Sequence, residues 1–350
     1  MVRSRSYIAT PPGATIREQL EDRRMSQKEF AARMDMSEKH ISKLINGDVQ
    51  LTPDVAVRLE MVLGVPAKFW GKLEIIYREK LIKAEAENAM DADEELAKAL
   101  PYSEMAQFGW VPKTQDIKEK VVNLRRYFEV VELSLLENNQ ITRIACRRLS
   151  VTKKSDLALL AWAQEAKIKA RSIETAPINI KGLIASMPEI RRMTILKPAE
   201  FRPKLKSIFE DCGVALVFLP HLKGSFLQGV SFMDGGKIVV GLIAKGEDAD
   251  KFWFGLFHEL GHIILGHIGQ SGGTSEQDEE AADNWSKDAL IPADSFDFFQ
   301  KGSDYSRQRV CAYAKALEIA PGIVVGRLQN EGIIKHSAMN DLKEHYTIAV

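Results

Sequence analysis

Apolar residues recur every three or four positions through residues 13–83, and residues that cap or end helices interrupt them. This spacing places side chains on one face of an α-helix, so the pattern predicts a bundle of five short helices. Ser26 and Ser37 stand where a helix N-cap is expected, and Gly47 and Gly64 stand where a helix ends. The first part of the chain is therefore predicted to be all-α. Within it, Ser26 and Glu29 are predicted to form a capping box, and Phe69, Trp70 and Leu73 are predicted to face inward on the fifth helix.

Two of these predicted helices are joined by a short turn at Asp35-Met36, and the second ends in Asn46-Gly47. This is the arrangement of a helix-turn-helix, whose second helix enters the major groove of DNA. Short polar and basic side chains on the outer side of that helix suit base edges and phosphates. The predicted DNA contacts are Gln27, Ser37, Lys39, His40, Ser42 and Lys43. A plain helical bundle with a solvated polar face is the alternative interpretation.

A second pattern is the apolar stretch over residues 252–265, which carries His258, Glu259 and His262. Residues four apart share a helix face, so both histidines can direct a ring nitrogen at one point, as two zinc ligands do. Glu259 stands beside them and is the predicted catalytic residue, which accepts a proton from water. The alternative is a helix whose histidines form ordinary core hydrogen bonds.

Glu279 and Asp283 are also four apart and follow the histidines on the next predicted helix. Glu279 is the predicted third metal ligand, and three protein ligands leave the fourth zinc position open, as in catalytic sites. Asp283 is predicted to accept the free ring N–H of a ligating histidine. The neighbouring carboxylates of Glu276, Asp278 and Glu280 remain alternatives for the third ligand.

His267 and Gly261 are given structural interpretations. His267 is five residues past His262, which rotates it off the ligand face, and it follows Gly266 near a predicted helix end, so a surface or capping histidine is expected. Gly261 costs about 1 kcal/mol in a helix interior relative to alanine. The close approach of a neighbouring strand would explain that glycine.

The pattern changes again after residue 198, where short apolar runs replace the helical spacing. Residues 213–219 read as a buried strand, and two further runs flank a hairpin signal at Met233–Lys237. A small sheet packed against the metal-site helices predicts an α+β arrangement, with an edge strand available to an extended peptide. Residues 84–100 are predicted to be an exposed helical connector, and residues 101–196 are mostly helical with no assigned role.

Composition adds limits to this picture. The chain has 350 residues and no apolar run long enough to span a membrane, its first five residues lack the apolar core expected of a signal peptide, and its three cysteines form no CxxC pair. We therefore expect a cytoplasmic protein of two or three domains with reduced cysteines and no membrane contact. Net charge is zero, but residues 1–83 hold 15 basic and 11 acidic residues, whereas residues 246–300 hold 2 and 12. This asymmetry is consistent with different partners for the two regions.

Two resemblances to known families follow from these residues. Residues 13–83 resemble the HigA-type antitoxin repressors, within the phage-repressor-like (XRE) helix-turn-helix group, through Leu20–Ala31, Ser37, Ile41-Ser42 and Leu51–Pro53. Residues 252–292 and 320–329 look like the ImmA/IrrE family of zinc metallopeptidase-like proteins. Trp285-Ser286 is a mild departure, since that family usually has an aromatic residue followed by alanine there.

The resemblances imply a multidomain protein with an all-α helix-turn-helix domain at 13–83, a helical connector at 84–196 and an α+β zincin-like domain at 197–340. They imply a transcriptional regulator of the antitoxin type, which represses its own operon as a homodimer on double-stranded operator DNA. The fused Zn²⁺ metallopeptidase-like module would cleave a regulatory protein or the chain itself, and a cognate toxin or a protein substrate would be the partner.

Two alternatives stay open. In one, the zinc site of the same repressor is structural or sensory, without turnover. In the other, the chain is a metallopeptidase whose N-terminal helices bind a protein partner instead of DNA.

Overall fold

The computed structural model describes residues 2–4, 7–88, 90–137, 153–223, 229–243, 245–268 and 274–347. The chain divides into two units, Met1–Glu95 and Leu96–Val350. Among the described helices, none is long and apolar enough to cross a membrane.

The first unit consists of five helices preceded by a short antiparallel hairpin. The five predicted helices are all present, whereas the hairpin was not predicted. The elements are β1 (Val2–Arg3), β2 (Ile8–Ala9), α1 (Gly13–Asp22), α2 (Gln27–Arg33), α3 (Glu38–Asn46), α4 (Pro53–Leu63) and α5 (Ala67–Asn88).

Side-chain caps fix where these helices begin. The hydroxyl of Ser26 accepts the backbone N–H of Glu29 at 3.1 Å, and that of Ser37 accepts the N–H of His40 at 3.2 Å. Each bond satisfies a donor that the first helical turn leaves without a partner. The Glu29 carboxylate accepts from the guanidinium of Arg33 at 2.7 Å, so Ser26 and Glu29 form only half of the predicted capping box.

The core of the first unit follows the predicted period, with one exception. Trp70 on α5 is fully buried, whereas Phe69 is 42% exposed, although Phe69 was predicted to face inward. A Cβ on Gly13 would lie 2.0 Å from the carbonyl oxygen of Ile45, so α1 packs directly on the backbone of α3. Other buried residues are Ile16, Leu20, Phe30, Ala31, Met34, Ile41, Leu44, Val55, Leu59 and Leu63.

Helix α5 continues into the predicted connector. Its Ala84 is fully buried, and the hydroxyl of Ser4 donates to Glu87 at 2.6 Å, which ties the N-terminal hairpin to the end of α5. This part of the connector is therefore packed against β1 and β2 and is not a free exposed helix.

The second unit is helical before and after a small sheet. The division between the units falls within α6 (Met90–Ala99). Before the sheet come α7 (Tyr102–Gln107), α8 (Ile117–Phe128), α9 (Lys153–Ala170), α10 (Ile180–Arg192) and α11 (Pro198–Asp211), with 3-10 turns at Leu133–Glu137 and Met193–Ile195. After it come α12 (Ala249–Ile264), α13 (Glu276–Leu290), α14 (Ala293–Lys301), α15 (Arg307–Ala316), α16 (Pro321–Asn330) and a 3-10 turn at Asn340–Leu342.

The sheet is mixed, with the order β3-β5-β4. Its strands are β3 (Val214–Leu219), β4 (Gly229–Asp234) and β5 (Lys237–Ile243). β4 and β5 form the predicted antiparallel hairpin, with Asp234 opposite Lys237, and β3 runs parallel to β5, with Val214 opposite Ile238. A separate two-stranded antiparallel pair joins β6 (Lys245–Asp248) to β7 (His345–Thr347).

Helix α9 packs on this sheet and contacts β3 and β5. Trp162 is 1% exposed, its indole N–H donates to the carbonyl of Pro220 at 2.9 Å, and a Cβ on Gly241 would lie 2.9 Å from its ring. The strands contact α11 and α12 as well. Because helices cover the sheet, the strands consist of continuous runs of apolar residues. Helix α9, whose region had no assigned role, therefore packs on the core of the second unit through its buried residues.

The cysteines give no metal-binding cluster in the described part of the chain. Cys212 and Cys311 are free thiols, and Cys146 lies outside the described residues. Burial raises the pKa of the Cys212 thiol, so it stays protonated.

Candidate metal centre and nucleic-acid interface

Helices α12 and α13 lie unusually close together beside the candidate metal centre. A Cβ on Gly261 would lie 3.2 Å from the Cα and the carbonyl oxygen of Ala282. The glycine therefore makes room for a neighbouring helix, and the predicted close approach of a strand is wrong. This contact brings the carboxylates of α13 to the histidines of α12.

The structure brings the three predicted metal ligands together. His258 and His262 lie one turn apart, and their Nε2 atoms are 3.0 Å from each other. The Glu279 carboxylate faces both rings, with Oε2 at 3.4 Å from Nε2 of His258 and Oε1 at 3.6 Å from Nε2 of His262. These three residues form the group of potential metal ligands found among the described residues.

The distances within this group fit a zinc ion. Zinc bonds of 2.0–2.1 Å in a tetrahedral site separate the ligand atoms by about 3.3 Å. The observed separations of 3.0, 3.4 and 3.6 Å bracket that value. Two imidazole lone pairs facing each other at 3.0 Å also repel, so a proton or a cation must lie between them.

The electrostatics of the pair agree with that requirement. Burial lowers the pKa of His258, but hydrogen bonds to Asp283 and Glu279 outweigh it and raise the pKa to about 10. Burial and the positive charge of His258 lower the pKa of His262 to about 4. The two rings thus share one positive charge, which a divalent cation can replace.

The alternative carboxylates lie elsewhere. Glu276 and Glu280 are exposed to solvent. Asp278 completes a capping box at the start of α13, with its Oδ2 accepting the N–H of Ser275 at 2.8 Å. Glu279 is thus the one of these carboxylates that the structure places within reach of both histidines.

Two of the ligands have a second partner on α13 or just before it. Oδ1 of Asp283 lies 2.7 Å from Nδ1 of His258, and this hydrogen bond lowers the pKa of Asp283. The hydroxyl of Thr274 donates to Oε1 of Glu279 at 2.5 Å. Asp283 was a predicted partner of a ligating histidine, whereas Thr274 was not singled out.

His267 is buried beside the site, so its predicted surface position is wrong, whereas the alternative prediction, a capping residue, is confirmed for its backbone. It is 8% exposed, and its Nδ1 lies 3.1 Å from Nδ1 of His262. Helix α12 ends in a Schellman turn, in which Gly266 has φ +78° and the N–H of His267 bonds the carbonyl of His262 at 2.9 Å. The turn reverses the chain, so helical periodicity does not apply to His267. The glycine was the available signal.

Glu259 is buried at the contact between α12 and the sheet, where the charges of His258 and Glu279 act on its pKa. A Cβ on Gly229 of β4 would lie 2.9 Å from Cγ of Glu259, so only glycine leaves space there. Oε2 of Glu259 is buried, and the buried hydroxyl of Ser231 lies near enough to this carboxylate to lower its pKa. Burial raises the pKa of Glu259 to about 7, which suits a group that exchanges protons near neutral pH.

The predicted DNA contacts lie on the outer sides of α2 and α3. Ile41, Leu44 and Ile45 point into the core, which leaves the opposite side of α3 to solvent. The exposed residues are Gln27, Ser37, Lys39 and Lys43, and the half-buried ones are His40 and Ser42. Ser37 has a structural role as well, since it caps α3.

Comparison with known proteins identifies this first unit. The helix-turn-helix family model matches residues 16–70. The uncharacterized HTH-type transcriptional regulator YddM of Escherichia coli (strain K12) is 34% identical over 80 residues, which span 23% of this chain and 81% of that protein. Through its N-terminal unit, the chain belongs to the helix-turn-helix family.

A solved structure is also similar to part of this chain. It is an addiction module antidote protein of a HigA family from Coxiella burnetii, with 23% identity, 24% of this chain and 94% of that chain covered, and a TM-score of 0.22. The family match runs from α1 to the start of α5, so the candidate metal centre lies outside it.

Proposed function

We propose that this chain is a DNA-binding transcriptional regulator of the antitoxin type, whose second unit carries a zinc-dependent peptidase site. The helix-turn-helix family supports the DNA-binding part. One observation carries the proposal of a peptidase site. His258, His262 and Glu279 converge with zinc-like spacing, and the buried carboxylate of Glu259 lies on α12 with the two histidines.

Helix α3 is the element that enters the major groove in this proposal. Its exposed Lys39 and Lys43 bind phosphates, and the shorter side chains of Ser42 and His40 face base edges. The name of the Escherichia coli relative supports a role in transcription. Binding to an operator as a homodimer, with a toxin or a protein substrate as partner, belongs to the same proposal.

The DNA-binding part is tested by the salt dependence of binding to the promoter of the protein's own gene. A Lys39→Ala/Lys43→Ala double variant should bind more weakly, and the slope of log K against log salt should fall by about 2, one for each lost phosphate contact. Lys72 and Lys80 on α5 are exposed lysines that supply a control with the same loss of charge. Equal slopes for wild type and both double variants would rule out this role for α3.

The peptidase part rests on residues with separate tasks. His258, His262 and Glu279 would hold the zinc ion, while Asp283 fixes the ring of His258 through its 2.7 Å hydrogen bond. A bound zinc ion supplies Lewis-acid chemistry, since it polarises a carbonyl and acidifies water. Glu259 accepts a proton from the attacking water and passes it to the leaving amine, as its raised pKa allows.

The test separates zinc binding from turnover. Glu259→Gln should keep one zinc per chain but lose peptide hydrolysis, because an amide cannot accept the proton. The probes are zinc content by mass spectrometry, hydrolysis of a peptide library and the intact mass of the full chain after incubation with zinc. Glu280→Gln is the matched control, since Glu280 is an exposed carboxylate on α13.

Each outcome of this experiment supports one interpretation of the metal site. Loss of hydrolysis with zinc retained supports the peptidase. A Glu259→Gln variant that retains zinc and every biological activity would instead support a structural or sensory zinc site.

Self-cleavage is the third outcome of the same experiment. In this case we propose the charged connector of residues 84–100 as the cut site, and it is helical where it is described, at the end of Ala67–Asn88 and over Met90–Ala99. Peptidases bind extended peptide, so cleavage there requires local unfolding of a helix. An intact mass that remains unchanged with zinc argues for a separate protein substrate.

A further inference from the structure

Each predicted zinc ligand contacts one further protein group, and the partner of His262 is a histidine that the proposed function does not use. His258 contacts Asp283, Glu279 contacts Thr274, and His262 contacts His267. We propose that His267 is a positioning residue, which fixes the tautomer of His262 and so leaves its Nε2 free to bind the metal. This inference rests on the proposed zinc site.

The backbone holds His267 in place. In a Schellman turn, the second residue after the helix lies over the third residue before the cap, and an apolar contact between the two is common. Here these residues are His267 and His262, and the N–H of Gly266 bonds the carbonyl of Ile263 at 3.3 Å as the motif requires. A contact between two imidazoles, 3.1 Å from Nδ1 to Nδ1, takes the place of the apolar one.

Asp278 determines the direction of that contact. Its Oδ1 lies 3.4 Å from Nε2 of His267, and a carboxylate only accepts hydrogen bonds. The negative charge of Asp278 beside Nε2 therefore favours the tautomer of His267 with its proton on Nε2, which leaves its Nδ1 as an acceptor. His262 must then donate from Nδ1, and its Nε2 carries a lone pair.

The consequence is a lone pair directed at the metal position. Nε2 of His262 lies 3.6 Å from Oε1 of Glu279 and 3.0 Å from Nε2 of His258. Without an acceptor at Nδ1, His262 can carry its proton on Nε2 instead, and metal binding then has to displace that tautomer. By accepting the proton of Nδ1, His267 removes the free-energy cost of this change of tautomer before the metal binds.

The first arm of the test needs no metal. In the metal-free protein, ¹⁵N NMR of the imidazoles distinguishes a proton on Nδ1 from one on Nε2. Wild-type His262 should show the Nδ1–H tautomer. Because Nε2 of His258 also faces Nε2 of His262, the effect of His267 is measured in a His258→Ala background, where adding His267→Ala should convert a large fraction of His262 to Nε2–H. Wild-type His262 with its proton on Nε2, as in donation from His267 to His262, would overturn the inference whether or not the site binds zinc.

The second arm measures zinc affinity by competition with a chelator. His267→Ala should weaken binding by about 10- to 100-fold, the usual effect of losing a partner of a ligand. His267→Asn should restore most of the affinity, because its amide oxygen can accept from His262 in place of Nδ1. His221→Ala is the control, since His221 is an exposed histidine of the same unit.

The two arms keep the two proposals apart. A wild-type chain that binds no zinc contradicts the peptidase site, while the NMR arm still decides whether His267 sets the tautomer. Unchanged zinc affinity in a folded His267→Ala protein would overturn the positioning role and leave the proposed function intact.

Discussion

The candidate functional residues of the two units are spread over very different lengths of sequence. In the first unit, the predicted DNA contacts Ser37 to Lys43 lie on one helix, which Ser37 itself caps. In the second unit, the metal centre joins His258 to Glu279 across a helix end, and it depends on Gly261 to let α12 and α13 approach. A recognition surface can be built by one helix, whereas a metal site needs contacts between elements.

The cores differ in the same way. Trp70 of the first unit donates its indole N–H to Val65, five residues away, at 3.1 Å. Trp162 of the second unit donates to Pro220, 58 residues away, at 2.9 Å. The buried tryptophan of the second unit therefore depends on a contact between parts of the chain that are far apart in sequence, and forming it requires the closure of a longer loop.

The largest effect is expected from removing these two tryptophans. Trp70→Ala and Trp162→Ala should each cost about 3 to 5 kcal/mol, because each buried ring leaves a cavity. Hydrogen exchange should show lost protection in α4 for the first variant and in β5 for the second. Equal loss of protection in both units, from either variant, would contradict this division of the core.

The next effect concerns the buried carboxylate of Glu259. Because burial raises its pKa to about 7 from an ordinary 4.5, the folded metal-free protein loses stability as pH rises between these values. Glu259→Gln should remove this loss, and it should stabilise the chelator-treated protein by roughly 3 kcal/mol above pH 7 and by nothing below pH 4. Urea unfolding across that range measures the difference. A difference in unfolding free energy that does not change with pH would show that burial does not raise the pKa of Glu259. The same conclusion would follow if Glu280→Gln gave an equal pH-dependent difference.

Two glycines of the first unit offer a smaller, matched comparison. Gly47 (φ +82°) and Gly64 (φ +68°) both end helices in the left-handed region, where alanine costs about 1 kcal/mol. A Cβ on Gly47 would also lie 2.6 Å from the hydroxyl of Tyr77, whereas nothing lies within 4 Å of one on Gly64. Thermal unfolding should show a loss of about 1 kcal/mol for Gly64→Ala and about 2 to 3 kcal/mol for Gly47→Ala. Equal losses would show that Tyr77 moves aside.

The smallest effect compares one helix cap from each unit. Ser26 accepts the N–H of Glu29 at 3.1 Å, and Ser306 on α15 accepts the N–H of Arg309 at 3.4 Å. Each serine-to-alanine substitution should cost about 1 kcal/mol in denaturant titrations. Similar costs would show that local signals act alike in both units, and a cost confined to one unit would break that expectation.

Predictions from residues a few positions apart were right more often than those that depended on contacts between elements. The helix starts at Ser26 and Ser37 were predictable, because a capping serine and its partner are three residues apart. His267 was placed on the surface because helical periodicity was extended past Gly266, where the chain reverses. Phe69 was predicted to face inward, but its neighbour Trp70 took the buried position.

In the middle of the chain, the sequence analysis was incomplete but not wrong. Residues 153–170 carry no chemical motif, and their apolar residues alone do not say what they cover. Only the parallel pairing of β3 with β5 creates the sheet face on which Trp162 packs. The reason for glycine at positions 229 and 241 is likewise visible only in the tertiary structure, where Glu259 packs against Gly229 and Trp162 packs against Gly241.

The sequence by itself determined the helices of the first unit, the hairpin of β4 and β5, and the spacing that puts His258 and His262 on one helix face. These features depend on residues a few positions apart, where backbone geometry fixes the distance. Only the tertiary structure decided that Glu279 faces both histidines, that His267 backs His262, and that Glu259 is buried against Gly229. Those contacts depend on how elements pack, and packing is a property of the whole core.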